Sequence, residues 1–99
     1  MANITPQFIY DARRYVRLNH NRLDSEICDL IEAARADLVL GGIIASKAES
    51  ENDALIRRAV FLYVKAEFGL DNADADKYRN SYEMLKRHLQ LSDEYTKEA

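Results

Sequence analysis

The sequence predicts an all-α protein, a small bundle of about four helices in a single domain spanning residues 1–99. Four segments place apolar residues at steps of three and four, which is the spacing of an amphipathic helix. Only three glycines and one proline interrupt the chain, and 47% hydrophobic with 31% charged residues is typical of a folded domain rather than a disordered one. The predicted helices cover about residues 6–16, 23–40, 52–68 and 73–90.

Start and stop signals bound the first two helices. Thr5 is suited to cap the first, because its hydroxyl can accept a hydrogen bond from a free backbone N–H, and Pro6 suits the first helical position. We expect Asn21 or Asp24 to cap the second helix and the glycine pair at 41–42 to end it. The apolar faces consist of Phe8, Ala12, Tyr15 and Val16, then of Ile27, Leu30, Ile31, Ala34 and Leu38.

The third predicted helix is apolar on more than one side. Such a helix is buried on several sides, so it is either the central helix of the domain or partly covered by another chain. Gly69 is expected as the left-handed residue after its end, and Glu49, Glu51 and Asp53 as negative charges that complement the positive end of the helix dipole. The apolar residues are Leu55, Ile56, Ala59, Val60, Phe61, Leu62, Tyr63, Val64 and Ala66.

The fourth predicted helix starts soon after Gly69 and forms an αα-hairpin with the third. Leu70 is expected to fold back onto the cap, and Asp71 or Asn72 to cap the new helix. Residues 92–99 are polar and are expected to form a flexible tail. The packing stripe is Ala75, Tyr78, Tyr82, Leu85 and Leu89.

Two groups of side chains have alternative predictions. Ile43 and Ile44 lie between the second and third helices without a periodic partner, so they either tuck under their own domain or contact a neighbouring subunit. Tyr63, Tyr78 and Tyr82 either sit at the edge of the core with their hydroxyls in water or belong to a subunit interface.

Charge is distributed unevenly along the chain. The first 22 residues hold four arginines and one aspartate, a net charge of +3, whereas the other 77 hold ten basic and sixteen acidic residues, a net charge of −6. Arg13, Arg14 and Arg17 form either a solvated helix face or one side of a protein contact. A pI near 5.3 argues against a protein that coats nucleic acid.

The residues carry no motif for chemistry. His20, Cys28 and His88 lie on different segments, without the spacing that brings metal ligands or a nucleophile and base together. We therefore predict no catalytic residue, no metal, no cofactor and no enzyme activity. One cysteine excludes an internal disulfide framework, and no apolar run is long enough to span a bilayer.

Three segments together resemble a known family. They are DSEICDLIEAARADL, DALIRRAVFLYVKAEFG and DADKYRNSYEMLKRHLQLS, preceded by a short N-terminal helix. In this order they resemble the small head-tail connector, or adaptor, proteins of tailed bacteriophages and prophages, in the DNA-packaging or connector subgroup. The resemblance covers most of residues 5–92, and the connection GGIIASKAESEND is longer than the family pattern.

The resemblance implies a structural virion protein. Such a subunit would assemble as a ring of about a dozen copies beneath the portal protein, and would join the DNA-filled head to the tail or to the next connector. It would occupy the virion neck, and the host cytoplasm before assembly. DNA would pass through the ring without sequence-specific binding, and no membrane would be involved.

The basic first helix and the acidic remainder could supply the two unlike sides that a ring contact needs. The candidate contact residues are Arg13, Arg14, Arg17, Ile43, Ile44, Tyr78 and Tyr82. The alternative from the residues alone is a small helical adaptor or regulator that binds another protein in a groove, and a third is a nucleic-acid-binding helical domain, which the acidic balance disfavours.

Overall fold

A computed structural model describes residues 3–69 and 73–98, and within those ranges the chain is helical without a strand. The all-α prediction is confirmed, and four long helices match the predicted ones to within about two residues at each end. Two further helices of four residues each, α3 and α6, were not predicted. The bounds are α1 Pro6–Tyr15, α2 Asp24–Leu40, α3 Ala45–Ala48, α4 Ala54–Glu67, α5 Ala75–Gln90 and α6 Asp93–Thr96.

The N-terminal caps confirm one prediction and overturn another. The Thr5 hydroxyl accepts a hydrogen bond from the N–H of Phe8 at 3.2 Å, as predicted. Neither Asn21 nor Asp24 caps α2, because Leu23 occupies the N-cap position and Asp24 is the first helical residue. The Asp24 carboxylate instead lies 3.0 Å from the guanidinium Nε of Arg13, so it joins the end of α1 to the start of α2.

The acidic run before α4 has two separate roles. Asp53 caps α4, where one carboxylate oxygen accepts from the N–H groups of Leu55 at 3.0 Å and Ile56 at 3.1 Å. The Glu51 carboxylate accepts instead from the N–H of Thr5 at 3.0 Å and lies 3.4 Å from the guanidinium of the fully buried Arg35. Asp53 therefore caps α4 directly, whereas Glu51 ties the start of α1 to α2.

The end of α2 explains the position of Ile43. Gly42 has φ +106°, and its N–H donates to the carbonyl of Val39, while the N–H of Ile43 donates to the carbonyl of Leu38, both at 3.0 Å. This Schellman cap places the residue after the left-handed glycine against the last turn of its own helix. Ile43 is accordingly 2% exposed and belongs to the core of its own subunit, so its prediction as a surface contact is wrong. Ile44 remains partly exposed.

The same cap ends α1 with a different residue. Arg17 has φ +61°, its N–H donates to the carbonyl of Arg14 at 3.0 Å, and the N–H of Leu18 donates to the carbonyl of Arg13 at 2.8 Å. An arginine therefore holds a backbone conformation that usually selects glycine. After α4, Gly69 has φ +86° as predicted, whereas the predictions for Leu70, Asp71 and Asn72 lie outside the described residues.

Helix α4 is the central helix, the first of the two predicted alternatives. It packs against α1, α2 and α5, and its interior residues fill the core between them. Leu55, at its first turn, is 44% exposed. The residues of the core cluster are Phe8, Ala12, Ile27, Ile31, Ala34, Leu38, Ile43, Ala48, Ile56, Ala59, Val60, Phe61, Leu62, Val64, Tyr82, Leu89 and Tyr95.

The predicted αα-hairpin is formed by α4 and α5. The rings of Tyr63 and Tyr82 meet edge to face with centroids 5.2 Å apart, and Tyr82 and Leu89 are each 2% exposed. Glu67 and Arg79 form an ion pair near the turn. These contacts confirm the apolar stripe predicted for α5.

The C-terminal segment is not the tail that its polarity suggested. Residues 93–96 form α6, and the ring of Tyr95 is 7% exposed within the core cluster. Its hydroxyl donates to the Asp53 carboxylate at 3.0 Å, and its carbonyl accepts from the N–H of Ile44 at 2.8 Å. One aromatic ring with two hydrogen bonds is sufficient to hold a polar segment against the bundle.

Candidate interaction surfaces

An open, positively charged cleft lies between α1 and the first half of α4. Its volume is about 640 Å³. Three arginines and one aspartate surround it, with two aromatic rings among the other lining residues. The lining residues are Asp11, Arg14, Tyr15, Asn52, Ala54, Arg57, Arg58 and Phe61. We call this feature the arginine cleft.

Arg57 holds the cleft together. Its guanidinium donates to the Asp11 carboxylate and to the carbonyl of Glu51, both at 3.0 Å, and lies 5.1 Å from the ring centroid of Phe61. The hydrogen bond from Arg57 lowers the pKa of the Asp11 carboxyl, which is therefore ionised at neutral pH. Arg57 and Asp11 are thus mutually satisfied, and they join α1 to α4.

Arg14 and Arg58 supply the cleft's surplus positive charge. Both are exposed, and neither has a carboxylate within ion-pairing distance among the described residues. The nearest aromatic partner of Arg14 is Tyr10, with the guanidinium 5.9 Å from the ring centroid. Two unneutralised guanidinium groups beside a concave surface can bind carboxylates of another protein with little rearrangement.

The outward face of α2 has the opposite charge. Glu26, Asp29 and Glu32 are exposed, and none of them forms an ion pair within the described residues. Burial, followed by the charges of Asp24, Glu32 and Asp29, raises the pKa of the neighbouring Cys28 thiol. We call Glu26, Asp29 and Glu32 the acidic face.

A second polar cluster lies between α2 and α5. The Tyr82 hydroxyl donates to the Asp37 carboxylate at 2.5 Å, and the ammonium of Lys86 donates to the same oxygen at 2.9 Å. Burial alone would raise the pKa of Asp37, but these two donors outweigh it and the pKa is lowered. Burial, reinforced by the bond to Asp37, raises the pKa of Tyr82. The Tyr82 hydroxyl is therefore inside the fold, contrary to both predicted alternatives.

Two exposed leucines mark one end of the bundle. Leu40 is 87% exposed at the end of α2, and Leu91 is 84% exposed just after α5. Gly41, which follows Leu40, and Gln90, which precedes Leu91, are hydrogen-bonded: the side-chain amide of Gln90 donates to the carbonyl of Gly41 at 3.0 Å. Both leucines therefore lie at the same end of the fold, and α2 and α5 both terminate there.

The predicted contact residues do not form one cluster. Arg13 forms an ion pair with Asp24, and Arg17 occupies the left-handed cap position. Of the three predicted arginines, only Arg14 lines the cleft. Tyr78 lies under the ammonium of Lys65, 4.7 Å from its ring centroid. Sequence reasoning missed Arg58, because only the packing of α1 on α4 brings it beside Arg14.

The described ranges, 3–69 and 73–98, lack two kinds of feature. Neither contains three or more histidine, cysteine or acidic side chains arranged to hold a metal ion. No helix within them is long and apolar enough to cross a membrane.

The fold and its surfaces define a small α-helical protein whose distinctive features are charged and apolar contact surfaces. A family model for phage connector proteins matches residues 10–96, nearly the whole chain. The chain belongs to this phage connector protein family, which is structural, and the head-tail connector resemblance is thereby confirmed. Membership identifies it as a virion component at the head-tail junction that interacts with other head or tail proteins. No curated protein and no solved structure matches the chain.

Proposed function

We propose that the chain is a ring-forming head-tail connector subunit that docks beneath the portal protein and presents a surface to the tail or to the next connector. The observation that carries the proposal is the family match over residues 10–96. A contact between two different sides of one subunit closes into a ring when its rotation allows, and the family resemblance implies about a dozen copies.

The subunit's surface supports this role. Its charged features are unlike one another, with surplus arginines on the α1–α4 side and unpaired carboxylates on α2. Leu40 and Leu91 add an apolar end that the fold itself leaves uncovered. Apolar side chains at such an end suit a contact with a second virion protein, either the portal or the next connector.

The net charge of −3 suits a passage for DNA. A conduit that neutralised many phosphates would hold the genome through counterion release, whereas an acidic subunit avoids that attraction. DNA would therefore pass through the ring without being held by its phosphates, and the family resemblance implies no sequence-specific binding.

Deletion of the gene from a phage that encodes this chain tests the proposal. We expect DNA-filled heads that lack tails and a loss of infectious particles, both restored when the chain is supplied in trans. Electron microscopy of the particles, with quantification of the chain in purified heads, provides the measurement. Normal tailed virions from the deletion would contradict the connector role.

A further inference from the structure

We propose that the arginine cleft of one subunit is occupied by the acidic face of α2 from the next copy in the ring. The proposal rests on the ring-forming function above and adds the identity of the two surfaces that meet. Its occupant is a second copy of this chain, and the argument for it is charge complementarity combined with the placement of both surfaces.

The two surfaces lie on opposite sides of the subunit. Helices α1, α2 and α4 each contact the other two, so they form a triangle in cross-section. The outer groove between α1 and α4 then faces away from α2, and the solvent side of α2 faces away from that groove. Opposite placement allows each copy to use its cleft toward one neighbour and its acidic face toward the other, which is the arrangement a head-to-tail ring requires.

Two residues of the acidic face, Asp29 and Glu32, belong to a continuous ridge of α2. Ser25, Asp29, Glu32 and Ala36 follow one another at steps of four, three and four, so they project within a narrow arc of α2, and all four are exposed. Glu26 lies beside them. A helix ridge of this kind fits a groove between two helices, because grooves between helices accept ridges of side chains.

The surplus charges of the two surfaces are opposite in sign and are not neutralised within the subunit. The cleft has three arginines and one aspartate, a surplus of two positive charges, and the acidic face has three carboxylates. Arg57 is engaged with Asp11, so Arg14 and Arg58 are the groups that meet the incoming carboxylates. Tyr15 and Phe61 line the same cleft and would exclude water from part of the contact, which strengthens the ion pairs.

The test reverses the charge of the cleft, then that of the acidic face, and then both together. In the cleft variant Arg14→Glu is combined with Arg58→Glu, and in the face variant Asp29→Lys is combined with Glu32→Lys. Both variants leave Arg57 and Asp11 intact, so each should fold with an unchanged midpoint of thermal unfolding. Each is supplied in trans to the deletion phage, and its amount in purified portal-bearing heads is measured by quantitative mass spectrometry.

We expect each variant alone to enter heads at least about tenfold less than the wild type, since juxtaposed like charges oppose association. The four-substitution variant has both surfaces reversed and complementary again, and should return to within about threefold of the wild type. A control with Lys77→Glu and Arg87→Glu on exposed positions of α5 changes net charge as much as the cleft variant does. It should enter heads at the wild-type level.

The outcomes separate this proposal from the function on which it depends. Normal entry of the folded single-side variants would overturn the surface assignment while leaving the connector role intact. Reduced entry without recovery in the four-substitution variant would show that the cleft or the face binds a different partner, and would also overturn it. Absence of the wild-type chain from heads would remove the connector role itself.

Discussion

The two polar clusters that join helices in this protein differ in how completely their charges are paired within the subunit. Between α2 and α5, Tyr82 and Lys86 both donate to Asp37, so every charge has a partner inside the subunit. Between α1 and α4, Arg57 and Asp11 form a similar pair, but Arg14 and Arg58 beside them remain unneutralised. The closed cluster stabilises the fold, whereas the open one has charge left for a partner.

The largest expected loss of stability comes from another closed contact, at α6. Tyr95→Ala removes a ring that is 7% exposed, together with its hydrogen bond to Asp53, and should lower the free energy of unfolding by about 3 kcal/mol. Denaturant titration measures the loss. Lys97→Ala, an exposed substitution in the same segment, is the control and should change little. Equal stability of wild type and Tyr95→Ala would mean that residues 93–96 are a tail after all.

Within the Asp37 cluster, Tyr82→Phe should lower the free energy of unfolding by about 2 kcal/mol, because the buried tyrosine loses its hydrogen bond to a charged carboxylate. Tyr78→Phe is the matched control on the same helix: its hydroxyl forms no hydrogen bond within the described residues, and the change should stay within about 0.5 kcal/mol. Equal effects of the two substitutions would contradict the closed cluster between α2 and α5.

The same cluster should make stability depend on acid pH. The pKa of Asp37 in the folded protein lies below the ordinary value of 3.8, so its contribution is complete above that value and is lost as the pH falls through the folded pKa. The stability difference between the wild type and Asp37→Asn should therefore shrink on acidification. A stability difference between the wild type and Asp37→Asn that stays constant across the acid range would contradict the assignment.

A smaller gain is expected at the end of α1. Arg17→Gly relieves the left-handed conformation of an arginine and should raise the free energy of unfolding by about 1 kcal/mol. Arg22→Gly removes the same charge from an exposed position a few residues away, and it should not stabilise the protein. If Arg17→Gly lowered the free energy of unfolding instead, the arginine side chain would stabilise the fold by more than its left-handed backbone conformation costs.

The smallest stability effect is expected in the open cleft. Arg14→Ala and Arg58→Ala should each change the free energy of unfolding by less than about 0.5 kcal/mol, since neither guanidinium is paired within the subunit. Arg57→Ala is the comparison: it leaves Asp11 without its partner and should cost more. Equal costs for the three arginines would erase the distinction between closed and open clusters.

Sequence reasoning was sufficient where the signal is local. Periodicity placed the four long helices, and the Thr5 cap and the left-handed Gly69 follow from residue type alone. Ile43 was misassigned although its signal is also local: two glycines followed by an apolar residue after a helix are typical of a Schellman cap, and that cap buries the third residue.

The rest depends on tertiary packing. The hydrogen bond between Tyr82 and Asp37 joins residues 45 positions apart in the sequence, and the one between Tyr95 and Asp53 joins residues 42 positions apart. Arg58 lies beside Arg14 only because α1 packs against α4. The four arginines of the first 22 residues therefore suggested a single basic helix, whereas the positive surface is a cleft formed by two helices. A four-residue helix such as α6 is too short to show periodicity, and its stability comes from one buried ring.

The most direct test of the connector account is an electron cryomicroscopy reconstruction of the head-tail junction from virions that encode this chain. The account predicts a closed ring of helical subunits directly beneath the portal, with the α2 side of each copy against the α1–α4 side of the next. A junction resolved to the level of helices that contains no copy of this chain would contradict it.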